Sequence, residues 1–175
     1  MNKSCFQQTE RGIGEWWTTR LEQAMIEAGQ EEKRLAEERN DYHQGGPAIT
    51  VIVDGGWSRR SHKHSYNAKS GMGVIISHAT GKILYVGERN KYCSACSQGI
   101  PQDRHKCYKN WDSSSSKMES DIILEGFKQA ESKHGVRYLR FIGDGDSSVA
   151  IPYTDPMCSC MGQVHNEDRM CKPCM

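Results

Sequence analysis

Residues 49–57 read Ile-Thr-Val-Ile-Val-Asp-Gly-Gly-Trp, and this stretch decides the fold prediction. The residues from Ile49 to Val53 are all apolar or β-branched, which favours a pleated strand. Because the run is continuous rather than alternating, it predicts a central strand that is buried on both faces. Asp54 would then stand at the carboxyl end of this strand, where ligands and chemistry gather in α/β sheets. A turn that begins at Asp54-Gly55 is the plainer alternative.

The composition predicts an intracellular globular chain that uses cysteine for metal binding. The length of 175 residues suits one domain with an appendage, and the hydrophobic fraction of 36% indicates a modest core. The sequence contains no apolar run of about 18 residues and no secretory signal, so we expect neither a membrane span nor export. In a reducing compartment, eight cysteines are expected to bind metal rather than to form disulfides.

The N-terminal part is predicted to be a charged arm with a helix over residues 15–39, because apolar residues recur there at helical spacing. Past Gly29 nearly every residue is charged, which is typical of a solvated helical face, although a partner helix would produce the same pattern. Residues 1–44 hold 6 basic and 9 acidic residues, and the remainder holds 17 and 13. Gly45-Gly46-Pro47 then marks a boundary. The predicted parts are an arm at 1–44, a core at 45–150 and a Cys-rich tail at 151–175.

Three further strands and one helix are predicted in the core. Residues 71–77 and 82–87 form an antiparallel hairpin, because only a short turn separates them. A helix follows from Ser116, and residues 136–142 form the fourth strand. The helix provides a crossover, so the fourth strand can lie parallel to the first. The predicted fold class is therefore α/β, with a mixed sheet of three antiparallel strands and one parallel strand.

The fourth strand ends in an acid, as the first does. Parallel neighbours present their carboxyl ends at the same edge, so Asp54 and Asp144 are predicted to lie together. Two such charges repel one another without a cation, which points to a divalent metal site. Asp144 is preferred over Asp146, which either assists or belongs to the turn. Ser116 and Glu119 fit a capping box at the start of the helix, although Glu119 could also face this site.

The residues after the first strand form a basic loop beside a tryptophan. Trp57, Arg59, Arg60 and Lys63 lie within seven residues of one another. Such a loop could grip phosphates while the tryptophan stacks on a base, so these four residues are the predicted nucleic-acid contacts. A solvated hairpin loop is the alternative.

A second cluster is predicted to bind zinc through an insertion at residues 92–108. Cys93, Cys96, His105 and Cys107 offer three thiolates and one imidazole, a ligand set that suits structural tetrahedral zinc. Unpaired cysteines in a loop are the alternative. The tail offers a second metal site or a disordered end, with candidate ligands at Cys158, Cys160, Cys171 and Cys174.

These elements resemble a known family in both order and sequence. A strand with an acid, a hairpin, a helix and another strand with an acid open the ribonuclease-H-like fold, and the residues resemble the Mutator-like transposase domain. The resemblance covers about residues 47–150, with matching pieces at 53–57, 80–84, 91–96, 118–119 and 138–147. It implies a nuclear, DNA-binding protein of a family that cuts and joins strands with two metal ions. Asp54 and one of Asp144 or Asp146 would hold Mg²⁺ or Mn²⁺.

The same resemblance leads us to expect a third acid on a later helix, after a fifth strand. Nothing after Ala150 has that pattern, so the sequence predicts a partial fold and a catalytically incomplete fragment. The alternative is a non-catalytic, zinc-binding module that contacts nucleic acid or protein, with the N-terminal helix as a possible protein-binding element.

Overall fold

The computed structural model describes residues 3–58 and 68–143, and it confirms a mixed α/β architecture. Short 3₁₀ turns occupy Gln102–Arg104 and Ser115–Lys117. The helices and strands are α1 (Lys3–Glu38), β1 (Tyr42–His43), β2 (Gly46–Trp57), β3 (Ser70–Ser77), β4 (Ile83–Asn90), α2 (Ser94–Ser97), α3 (Met118–His134) and β5 (Arg137–Gly143). No helix within these ranges has the length and apolar character that crossing a membrane requires. The predictions that concern Arg59, Arg60, Lys63, Asp144, Asp146 and the tail cysteines fall outside the described residues.

Strand β2 is the centre of the sheet, as the sequence predicted. It pairs antiparallel with β3, and β3 pairs antiparallel with β4. On its other side β2 pairs in parallel with β5, whose register places Val53 opposite Gly143. The short β1 pairs with the first two residues of β2. The predicted three-stranded meander and its parallel neighbour are therefore both present.

Strand β2 is longer than predicted, because it continues through Asp54 to Trp57. Asp54 pairs with Val74 and Gly55 pairs with Gly73, so the chain neither ends its strand nor turns at Asp54. Glycines on both strands leave room for α3: a Cβ at Gly73 would lie 2.8 Å from Cγ2 of Ile122. The last described pair between β2 and β5 joins Val53 to Gly143, and Asp54 is the next residue. Asp54 therefore lies at the end of the pairing with β5, although it does not lie at the end of β2.

One face of β2 is fully buried, whereas the other is half-buried. Ile49, Val51 and Val53 belong to the core, but Thr50 and Ile52 between them are partly exposed. The prediction of burial on both faces is therefore wrong, because the continuous apolar run hides an ordinary alternation. The core cluster is completed by residues from α1, α3, the other strands and the link between α3 and β5, namely Ala28, Ala36, Ile75, Leu84, Tyr85, Ile122, Ile123, Ala130, Val136 and Tyr138.

The helix α3 ends as predicted but begins differently. Gly135 has a left-handed conformation with φ of 63°, and its N–H donates to the carbonyl oxygen of Glu131. At the other end, Lys117 is the N-cap and makes no side-chain capping bond, while Ser116 lies in the preceding 3₁₀ turn. The predicted capping box of Ser116 and Glu119 is therefore wrong, because the extra turn carries the serine away from the cap.

Helix α1 begins at Lys3, well before the predicted residue 15, and ends at Glu38. Its second half packs on the sheet through residues that include a glutamate: Glu32 is 0% exposed, and Ser77 Oγ donates to its Oε1 at 2.5 Å. A Cβ at Gly29 would lie 2.3 Å from the ring of His134, so α1 and α3 are in close contact there. The charged run after Gly29 is thus not wholly solvated. The boundary predicted after residue 44 stays a prediction.

A candidate metal centre and a neighbouring acidic strand

The structure brings Cys93, Cys96, His105 and Cys107 together after strand β4. Their ligand atoms all lie within 4.8 Å of one another. The Nε2 atom of His105 is 3.3 Å from Sγ of Cys93 and 3.4 Å from Sγ of Cys96, and the sulfurs of Cys96 and Cys107 are 3.5 Å apart. Two sulfurs on one tetrahedral zinc ion would be about 3.7 Å apart, given Zn–S bonds of about 2.3 Å. The four atoms are therefore close to the arrangement that zinc requires.

Local backbone structure positions each of these ligands. Cys93 is the N-cap of the single-turn helix α2, which contains Cys96, and the N–H of Ser97 donates to the carbonyl oxygen of Cys93 at 3.0 Å. Gly99, with φ of 78°, then reverses the chain in a conformation that glycine adopts without strain. On the imidazole of His105, Nδ1 lies 2.9 Å from the carbonyl oxygen of Pro101. When Nδ1–H donates this bond, Nε2 carries its lone pair toward the sulfurs, as a metal-binding histidine needs.

The groups around Cys93 and Cys96 shift the pKa values of these two thiols in opposite directions. The pKa of Cys93 is lowered to about 6, chiefly by the N–H of Cys96 and also by those of Tyr108 and Ala95. The pKa of Cys96 is raised to about 11, because its sulfur shares a hydrogen bond with Cys107 and lies beside two other thiols. One thiolate therefore forms readily, while further ionisation is opposed by the neighbouring sulfur charge. A divalent cation would remove that opposition, because thiolates are its natural ligands.

The imidazole of His105 experiences competing effects. Burial is the largest and lowers its pKa, but hydrogen bonds with Cys107, Pro101 and Cys93 together raise the pKa above the ordinary value. Without a metal, the imidazolium would pair with thiolate. A metal ion binds the neutral imidazole, so the extra proton of the imidazolium must dissociate. Metal binding is therefore expected to release protons and to weaken at low pH.

The ends of the insertion are fixed to β4. The backbone N–H groups of Asn110 and Trp111 both donate to the carbonyl oxygen of Asn90 at 3.0 Å. The side chain of Asn110 accepts from the N–H of Asn90 at 2.6 Å and donates to the carbonyl oxygen of Glu88 at 3.1 Å. Sequence reasoning missed this role of Asn110, since an isolated asparagine in a polar loop gives no signal of its partner. The cluster of Cys93, Cys96, His105 and Cys107 therefore lies on a loop that continues the hairpin and is hydrogen-bonded to it at Asn110 and Trp111.

Asp54 lies exposed on β2, at the edge of the region where β5 pairs. Its Oδ1 accepts the N–H of Gly55 at 2.8 Å. A Cβ at Gly55 would lie 2.6 Å from Cδ of Glu119, so the carboxyl group of Glu119 rests directly against the backbone beside Asp54. Because Gly55 has no side chain, the carboxyl group of Glu119 can contact the backbone of β2 directly. Successive side chains of a strand point to opposite faces, so this contact places Glu119 on the face of β2 opposite the Asp54 side chain. The alternative in which Glu119 faces the acidic site therefore gains no support from it.

The tryptophan of the predicted nucleic-acid loop, Trp57, already packs partly against the sheet. Trp57 ends β2 half-buried, and a Cβ at Gly71 would lie 3.2 Å from its ring. The indole therefore lies across β3 and keeps part of its surface exposed at the point where the basic residues begin. Its contact with nucleic acid stays a prediction.

A comparison with protein families matches residues 1–164 to the model of the Mutator-like transposase, and these residues include α1, the sheet and the cluster of Cys93, Cys96, His105 and Cys107. Neither the curated proteins nor the solved structures give a match. The resemblance noted from residues 47–150 is thus confirmed over a longer span, and the chain belongs to the Mutator-like transposase family.

Proposed function

We propose that this chain is a DNA-binding, transposase-derived domain with a partial ribonuclease-H-like fold. In this proposal, Asp54 and Asp144 hold a divalent Mg²⁺ or Mn²⁺ ion, and Cys93, Cys96, His105 and Cys107 hold a structural zinc ion. The proposed compartment is the nucleus, where DNA is available.

The register between β2 and β5 is the observation that supports the acidic site best. Val53 pairs with Gly143 in parallel strands, and each of these residues is followed in the sequence by an aspartate. Neighbouring strands lie about 4.8 Å apart, which allows carboxylates at equal positions to share one ion. A pair of charges at that spacing needs a cation to offset its repulsion.

The chain's own residues have distinct roles in this site. The N–H of Gly55 fixes the orientation of the Asp54 carboxylate through Oδ1. Strands β3 and β5 pair with β2 on its two sides, so strand pairing fixes the backbone that leads to Asp54, as a metal site needs. When two divalent ions are bound in such enzymes, they activate the attacking water or 3′-hydroxyl and stabilise the leaving oxygen.

Two aspartates are expected to hold one ion, whereas a second ion would be held only weakly without a third carboxylate. We therefore propose that residues 1–175 bind Mn²⁺ but do not cut DNA by themselves. A nicking assay on supercoiled DNA with Mn²⁺ tests this, with Asp54→Asn as the control. Nicking that Asp54→Asn abolishes would contradict the proposal and would identify a third acid within this chain. Glu119→Gln would then show whether the acid beside Gly55 is that ligand.

The DNA contacts are proposed to be basic and largely independent of sequence. Arg59, Arg60 and Lys63 would reach phosphates, and the exposed part of the Trp57 ring would meet a base or a sugar. This proposal is supported by the position of Trp57 at the end of β2, on the same strand as Asp54. DNA held by the loop would therefore pass close to the acidic edge.

A non-catalytic interaction module is the second candidate, and the zinc cluster favours it. The four ligands come from one short insertion and need no contribution from Asp54. Such a module would bind its partner equally well when Asp54 is changed to Asn. Loss of Mn²⁺ binding in Asp54→Asn, with zinc content unchanged, would distinguish the transposase-derived site from this alternative.

A further inference from the structure

The first half of α1 is a helix that packs against nothing in the described structure. All residues from 4 to 24 are exposed, over about 30 Å of helix, and the first buried residue is Met25. Large apolar side chains are among them: Trp16 is 58% exposed, Trp17 is 62% exposed, and their rings meet edge to face at 5.1 Å. We call residues 4–24 the exposed segment.

The intrinsic helix propensity of the exposed segment does not explain why the segment is helical. Gly12 and Gly14 both lie within it, with open space where a Cβ would be, and each makes a helix less stable than alanine would. Helices in proteins gain most of their stability from packing an apolar face. A helix with exposed tryptophans and two interior glycines therefore indicates a packing partner.

Six residues of the exposed segment follow the spacing of a coiled-coil seam. Positions 6, 10, 13, 17, 20 and 24 are separated alternately by four and three residues, and they fall within about 80° of one another around the helix. The residues at these positions are Phe6, Glu10, Ile13, Trp17, Arg20 and Ala24. Four are apolar, and the two charged ones have opposite sign.

This seam is complementary to itself when reversed. An antiparallel copy centred on residue 15 places Phe6 opposite Ala24, Ile13 opposite Trp17 and Glu10 opposite Arg20. Each pairing joins an a position of the heptad to a d position, which antiparallel coiled coils require. The large Phe6 meets the small Ala24, and Ile13 meets Trp17. The Glu10–Arg20 pairing occurs twice by symmetry, so both charges are matched at the seam.

A parallel arrangement lacks this match. It would place Glu10 against Glu10 and Arg20 against Arg20 of the two copies, and like charges at a seam oppose association. In the described part of the chain neither Glu10 nor Arg20 has an ion-pair partner, so both are available to a second copy. We propose that two copies of this chain form a dimer through antiparallel pairing of the exposed segment.

Charge reversal on the full zinc-loaded chain tests the proposal, with molar mass measured by light scattering after size exclusion. The wild-type chain should have about twice the monomer mass of 19.8 kDa at high micromolar concentration. Glu10→Arg alone and Arg20→Glu alone should each be monomeric, because each variant pairs like charges at both symmetric positions. A mixture of these two variants should restore the dimer, since every pairing in the mixed dimer is then complementary.

Two further variants complete the design. Glu15→Arg makes the same change of charge as Glu10→Arg, but it lies about 140° or more from the seam positions and should leave the dimer intact. Trp17→Ala should weaken the dimer by removing the largest side chain of the seam. A monomeric wild-type chain, a dimer that survives Glu10→Arg, or a mixture that stays monomeric would each overturn the proposal.

Discussion

Replacing Cys93 by serine should remove one zinc ion and loosen the hairpin that carries the cluster. The chain from Cys93 to Cys107 spans 15 residues, and a cross-link that closes a loop of this length stabilises the folded state by about 3 kcal/mol. In the proposed centre, a bound zinc ion would perform that closure by joining Cys93, Cys96, His105 and Cys107. We therefore expect the free energy of unfolding to fall by about 3 kcal/mol, which corresponds to a decrease of about 6–12 °C in Tm.

The assay combines metal analysis with thermal unfolding of the full chain. Zinc content should fall by about one ion per chain in Cys93→Ser relative to wild type, whatever the tail cysteines bind. Cys5→Ser is the matched control, because Cys5 is an exposed free cysteine in α1, distant in sequence from the cluster. It should change neither zinc content nor Tm. A wild-type chain that is folded and free of zinc after purification under reducing conditions would refute the reasoning.

Three other perturbations test separate parts of the structure. Removing Arg59, Arg60 and Lys63 together should reduce the slope of log affinity for DNA against log salt by about 3, and an unchanged slope would place the phosphate contacts elsewhere. Gly73→Ala should cost about 1–3 kcal/mol, because its Cβ would lie 2.8 Å from Cγ2 of Ile122, whereas Gly12→Ala, with open space around it, should not destabilise the chain. The pKa of Glu125 is lowered, chiefly by its hydrogen bond with Arg89, so the stabilisation that this pair gives is present at neutral pH and is lost as the pH falls below about 4.5. Arg89→Gln should therefore destabilise the chain at pH 7 and reduce its loss of stability on acidification, as measured by urea unfolding; an acid sensitivity equal to that of wild type would assign the effect to other carboxylates.

The strand order was predictable because each strand carries its signal locally. The runs at 49–53, 71–77, 82–87 and 136–142 are short, apolar and bounded by glycine or by charge. A helix between the hairpin and the last strand then leaves a parallel crossover as the natural connection. These signals do not depend on distant contacts, and the described sheet matches them.

The ends of elements were harder to predict, because tertiary contacts decide them. Strand β2 continues through Asp54 and Gly55, since pairing with β3 compensates for residues that disfavour a strand. Glu32 reads as a surface residue within a charged run, yet it is buried against Ser77. Only the position of the partner strand reveals such a contact.

The proximity of Cys93 and Cys96 was predictable from their spacing, whereas the approach of Glu119 to β2 was not. Two thiols separated by two residues must share a local turn, so their proximity follows from the sequence itself. The contact between Glu119 and Gly55 joins residues far apart in the chain and depends on how α3 crosses the sheet. The glycine after Asp54 was the available signal, and a turn explained it equally well.

The central proposal is that Asp54 and Asp144 share a divalent metal ion at the edge of the sheet. The most direct measurement is titration of the zinc-loaded chain with Mn²⁺, followed by electron paramagnetic resonance, for wild type, Asp54→Asn and Asp144→Asn. Asp54 is exposed, so its replacement should leave folding and zinc content intact. We expect one Mn²⁺ site in the wild-type chain and its loss in each variant. Equal Mn²⁺ binding by all three chains would contradict it.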